Sequence, residues 1–176
     1  MKLVYTAEKF FLSADTISKN EENNTIKAAG NVTITNNQYK LKANEIKYYL
    51  KEKKVFAKGN VIIFEENRNV IYATEAELSS DLKSNFIKNI GVLLSDNSRL
   101  AASSAKSIKE TDKTIYKNVV FTKCKSCKER TDESIMWKLK AKKATHLKKS
   151  KIILYESVFL EAFNIPILFV PIFYHP

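Results

Sequence analysis

Glycine and proline are scarce in this chain, three of each in 176 residues. That scarcity, set against 10 Phe and 8 Tyr, excludes a collagen-like or low-complexity disordered chain. Three glycines also leave no room for a glycine-rich phosphate loop. Cysteine occurs only as Cys124 and Cys127, in a single CKSC. A zinc site normally takes four ligands, and neither His146 nor His175 stands at finger spacing from that pair, so no metal is expected and a disulfide in an oxidising compartment is the better reading. The two histidines are isolated and no nucleophile stands at a triad-like spacing, so neither an enzyme nor a cofactor is expected. No apolar run approaches the roughly 18 residues of a spanning helix. The opening MKLVYTAEKFFLSAD has no sustained apolar stretch ending in a cleavage site, which leaves a cytosolic chain or one lacking its signal segment.

What is abundant is strand chemistry: a hydrophobic content of 44%, rich in Val, Ile, Phe and Tyr and interleaved with Thr and Lys. The length fits one domain with one core better than two. A net charge of +11 points to a polyanionic partner, whether nucleic acid, an anionic membrane surface or a phosphorylated lipid. The lysines spread along the whole chain instead of gathering on one patch, and no RNP-like strand accompanies them, so nucleic acid is not expected.

The strongest signal is an internal repeat. IKAAGNVTI (26 to 34) and VFAKGNVII (55 to 63) match at Ala28/Ala57, Gly30/Gly59, Asn31/Asn60, Val32/Val61 and Ile34/Ile63, a shift of 29. Weaker copies follow as IKNIGVLL, IYKNVVFT and LYESVFLE, in which the Gly-Asn-Val triplet is lost. Between them recurs an apolar-x-Ala element, whose alanines are Ala14, Ala43, Ala73, Ala102 and Ala141, at shifts of 29, 30, 29 and 39. The longer last interval falls on a polar insertion, 123 to 135, with the cysteines near its start.

Each repeat reads as two strands with one wet and one dry face. In YKLKANEIKYY (39 to 49), Tyr39, Leu41 and Ala43 alternate with Lys40, Lys42 and Asn44. Turns rich in Lys, Asn, Ser and Glu separate the strands, about ten in all. The expected architecture is all-β, repeated antiparallel hairpins stacked as a jelly-roll-like open solenoid, each hairpin burying its dry face on its neighbours. The dry face is expected to include Val32, Ile34, Leu41, Ala43, Val61, Ile63, Ile71, Ala73, Leu100 and Ala102. Its recurring alanine has two readings, tapered packing of a closed core or room for a ligand.

The unit apolar-x-Ala-x-x-apolar, turn, A-x-G-N-V-x-I, repeated at this period, resembles the OstA-type (β-taco) domain of the lipopolysaccharide-transport proteins over essentially the whole chain. FNIPILFVPIFYHP (163 to 176), with Pro166, Pro171 and Pro176 five apart, resembles the segment by which the outer-membrane translocon of that family passes from its periplasmic domain to its barrel. The CKSC ahead of MWKLKAKKATH (136 to 146) resembles the alphaproteobacterial form.

The resemblance implies a conduit domain over 1 to 162, a proline-rich link over 163 to 176 and a location on the periplasmic side of the outer membrane. Lipopolysaccharide would be carried with its acyl chains against the ten dry-face residues. The lysine run 138 to 151 would meet its phosphates. Implied partners are an LptA-like periplasmic bridge of the same fold, received by strand addition at an edge containing Phe11 and Ile17, and an LptE-like lipoprotein reached through the barrel. Cys124 and Cys127 would serve as disulfides tethering domain to barrel, with a local Cys124 to Cys127 bond as the alternative.

Overall fold

The computed structural model describes residues 11–35, 39–66, 68–79, 84–108, 111–123, 137–147, 149–150 and 152–175. Their regular structure is twelve strands: β1 (Phe11–Ser13), β2 (Thr16–Asn20), β3 (Thr25–Thr35), β4 (Tyr39–Tyr49), β5 (Lys54–Glu65), β6 (Val70–Ser79), β7 (Ser84–Leu93), β8 (Arg99–Ile108), β9 (Lys113–Thr122), β10 (Trp137–Leu147), β11 (Ile152–Ala162) and β12 (Ile165–His175). They form one antiparallel sheet in which β3 to β12 follow in chain order, while β1 and β2 both pair with β3. The sheet is open, since β12 pairs only with β11 among the described residues. Two strands come in addition to the ten expected. The first strand breaks in two at Ala14 and Asp15, and the proline-spaced end, expected as a link, supplies β12 of the same sheet.

Strict alternation fails once in each long strand, and that failure shapes the molecule. In β4 the buried pair Leu41 and Ala43 is followed by buried Ile46, with Asn44 and Glu45 between them. The same three-residue step separates buried Ala73 from Ala76 in β6, Ala102 from Ala105 in β8, and Ala141 from Ala144 in β10. A two-residue alternation cannot put both members of such a pair on one face unless the strand bends between them.

The odd strands meet this bend with left-handed backbone. In β3 and β5 it falls on Gly30 and Asn31 (φ 77° and 48°) and on Gly59 and Asn60 (φ 75° and 47°). In β7, β9 and β11 a single residue suffices: Asn89 (φ 51°), Asn118 (φ 49°) and Ser157 (φ 54°). The pairing register slips at the bend, for example between Ala29 and Val32 and between Lys58 and Val61.

Because the bends stand side by side from strand to strand, the sheet creases along one line and folds over itself. The inward faces of both halves are then buried in one apolar core that runs from Ala28 in β3 to Val158 in β11. Nearest the crease, Val32 faces Ala43, Val61 faces Ala73, Ile90 faces Ala102 and Val119 faces Ala141. A methyl group opposite a branched side chain fits the narrow end of the fold, which gives the recurring alanine a packing role.

Candidate functional site

The inward face carries one row that is apolar at every step. It starts at Leu12 and passes through Ile34, Leu41, Ile63, Ile71, Val92, Leu100, Phe121, Leu139 and Leu160 to Leu168, each opposite the next across the sheet. At about 4.8 Å per strand, ten steps span about 50 Å. No charged or hydrogen-bonding side chain interrupts it.

All ten residues expected on the dry face are buried on it: Ile34, Leu41, Ile63, Ile71 and Leu100 in this row, and Val32, Ala43, Val61, Ala73 and Ala102 in the row beside the crease. The sheet brings them together from five strands, β3, β4, β5, β6 and β8. Sequence reasoning missed the opposing arm, where Ala28, Ile46, Val55, Ala57, Ala76, Leu78 and Ile87 are equally buried. The signal was the phase slip itself, apolar-x-Ala-x-x-apolar, whose two intervening residues mark the crease.

The opposing arm changes character along the sheet. Alanine and isoleucine occupy its row next to the crease from β3 to β8, and Tyr116, Ala144, Tyr155 and Phe173 continue it. Tyr155 is the largest fully buried side chain and packs on Phe173 with ring centroids 6.1 Å apart. Burial pushes its phenol up to about 12. Tyr116 is likewise raised to about 12, by burial first and then by the charges of Glu65 and Tyr155. Both rings are therefore neutral at any physiological pH, in keeping with a dry interior.

Outside the fold, the lysine-rich strand β10 is less free than its sequence suggests. Lys140 Nζ lies 2.8 Å and Lys138 Nζ 3.4 Å from Glu161, and Lys143 Nζ donates to Glu156 Oε1 at 2.6 Å. The hydrogen bond from Lys140, backed by Lys138, holds the Glu161 carboxyl below the usual glutamate value against the opposing effect of burial. Lys142 and Lys149 have no such carboxylate among the described residues, whereas Lys148 and Lys151 lie outside them. Cys124 and Cys127 also lie outside the described residues.

The two edges of the sheet differ. Phe11 pairs with Thr35 and points outward, while Ile17, opposite buried Ala28, continues the inward face; both are exposed, with no strand beyond them among the described residues. At the other edge, β12 exposes apolar side chains on both of its faces.

An open antiparallel sheet, creased over a continuous apolar interior that runs between two edges unpaired among the described residues, is thus the architecture. No family model matches the chain, and no curated protein sequence matches it. Among solved structures it is similar to LptH of Pseudomonas aeruginosa, the LptA-homologous periplasmic component of the conserved lipopolysaccharide transport device. The identity is 10%, with 83% of this chain and 80% of that chain covered and a TM-score of 0.34.

Proposed function

We propose that this chain conducts lipopolysaccharide along its creased sheet, as the periplasmic OstA-like domain of the outer-membrane assembly protein LptD, of alphaproteobacterial type. The observation that carries the reading is the apolar row from Leu12 to Leu168, which runs unbroken across the sheet from β1 to β12. Each methylene kept from water is worth about 0.8 kcal/mol, so a many-chained lipid crossing an aqueous space needs a lining without gaps. Parting the two arms at the crease would expose such a lining, with the phosphorylated head left at the mouth. The bridge protein would add its strand beside β1 and β2, and the LptE-like partner would be met through the barrel. The assignment to LptD rests on the proline-spaced end and the CKSC pair.

A soluble bridge component is the second reading. It is favoured by the pairing of β12 with β11 over nine register positions, with one register shift at Leu160 and Glu161, as in an ordinary strand of the domain.

Photocrosslinkers at Ile63 and Leu100, with Tyr72 on the outward face as control, test the conduit. Radiolabelled lipopolysaccharide is expected to attach at the two inward positions and not at Tyr72. Absence of adducts at both would leave a closed core and a non-lipid interaction module.

A further inference from the structure

Residues 163 to 174 contain no Asp, Glu, Lys or Arg, yet they hold eight of the seventeen large apolar side chains that the described residues expose. The exposure lies on both faces of β12. Leu168 and Phe173 point inward, opposite Leu160 and Tyr155, while Phe169, Ile172 and Tyr174 point outward, opposite Phe159, Glu156 and Leu154. Ile172 is 62% and Tyr174 67% exposed, so neither is covered by the described residues. Phe169 meets Phe159 with ring centroids 4.8 Å apart and extends the outward apolar surface onto β11.

What covers this surface can be decided by its shape. A strand added beside β12 would pair the free edge and shelter Leu168 and Phe173, but it would leave Phe169, Ile172 and Tyr174 in water. A lipid leaflet covers the edge and the outward face together. The polar groups fit that occupant. Tyr174 carries a hydroxyl at the tip of an apolar ring, suited to the headgroup boundary. Lys142 stands two strands away with no carboxylate partner among the described residues, on a chain of net charge +11. Pro166 and Pro171 remove two backbone donors from β12, and at headgroup depth water still reaches the rest.

We propose that the β11–β12 end of the sheet docks on a phospholipid bilayer, with Phe159, Phe169, Ile172 and Tyr174 entering the boundary between headgroups and acyl chains. The surface is the outside of the fold, so the proposal stands whether or not the interior carries lipid. Glu156 and Glu161, which neutralise the β10 lysines, mark where the apolar surface ends.

The full chain is mixed with vesicles of phosphatidylcholine alone, or of equal parts phosphatidylcholine and phosphatidylglycerol, and binding is read by cosedimentation. Binding to both vesicles is expected. It should persist in about 1 M salt, where charges are screened beyond about 3 Å. The F169E/I172E double variant should weaken binding about tenfold or more. Phe56→Glu, which alters an exposed aromatic on β5, should not. Tyr174→Glu, at the end of the strand, gives the same readout with less risk to folding. The proposal is overturned if the chain ignores both vesicles, if binding needs phosphatidylglycerol and vanishes in high salt, or if Phe56→Glu matches the double variant. A dimer that F169E/I172E dissociates, with vesicles left unbound, would assign the surface to a second copy instead.

Discussion

Asn118 Nδ2 donates to Ser103 Oγ at 3.1 Å, and Ser103 Oγ in turn donates to the carbonyl of Lys117 at 3.0 Å, closing a circuit around the left-handed residue. The same circuit stands 29 residues earlier, where Asn89 donates to Thr74 Oγ1 at 3.2 Å and Thr74 to the Lys88 carbonyl at 3.3 Å. At the first bend Asn31 donates to Asp15 Oδ2 at 3.0 Å. The crease is thus a polar spine in which a short side chain on one strand satisfies a left-handed asparagine on the next. Asparagine tolerates that conformation more readily than most other side chains with a Cβ.

Asn118→Ala is therefore expected to lower stability by about 1 to 2 kcal/mol, mostly through backbone strain. Asn118→Gly, which loses the same hydrogen bond but relieves the strain, should stay within about 1 kcal/mol of the parent. Urea unfolding of the two variants decides the matter. Equal losses would mean that the hydrogen bond, and not the left-handed backbone, is what the position requires.

The three glycines should respond differently to alanine. A Cβ on Gly59 would lie 2.8 Å from Asn44 Nδ2 at positive φ, and one on Gly30 would collide with the Asp15 carboxylate. A Cβ on Gly91 would meet nothing within 4 Å. Gly59→Ala is expected to cost about 2 kcal/mol or more, and Gly91→Ala to be neutral or to stabilise by about 0.5 kcal/mol through the unfolded chain. A comparable fall in melting temperature for both would contradict the assignment of strain to the bend alone.

Much of this was legible in the sequence, and the reasons for the remainder are physical. The spacing of Ala43, Ala73, Ala102 and Ala141 located one side of the crease, and the Gly-Asn-Val match located the other in the first two copies. The later copies read as degenerate because the glycine is gone. Yet Asn89, Asn118 and Ser157 keep the left-handed turn in one residue where Gly30 and Asn31 use two. Gly91, the one glycine left in the third copy, pairs outward with Tyr72 and Ala101 and takes no part in the bend. The opposing arm was missed because alternation was counted through the bend without resetting its phase. Ile165–His175 did not read as a strand because an edge strand that is apolar on both faces shows no alternation.

Glu161 should make stability depend on acid. Its folded pKa lies below the ordinary 4.5 because Lys140 and Lys138 hold the charged form. A depressed carboxyl contributes fully above the unfolded value and loses its contribution as pH falls through the folded one. Glu161→Gln is thus expected to be less stable than the parent at neutral pH, with the gap closing as the solution is acidified below about pH 4. Unfolding midpoints measured across that range provide the check, and a gap that stays constant into acid would exclude the ion pair as its source.

The N-terminal edge carries the proposed bridge contact, and the geometry ranks the two residues expected there. Strand addition beside β2 would use the edge on which Ile17 sits, opposite Ala28 and continuing the buried inward face, whereas Phe11 points to the outside of the sheet opposite Thr35. Proline at position 17 removes a backbone donor from the pairing edge, and aspartate there places a charge where two apolar interiors would join. Ile17 is 54% exposed, so neither change disturbs the existing core. Ile17→Pro and Ile17→Asp are expected to abolish capture of a purified LptA-like bridge protein while leaving the urea midpoint within about 0.5 kcal/mol of the parent. Phe11→Asp should weaken capture less, because strand pairing and the joined interior survive it. Unchanged capture by both Ile17 variants would remove this edge from the proposal. Loss only with Phe11→Asp would move the contact to the outer face and turn the partner from an added strand into one that packs against the sheet.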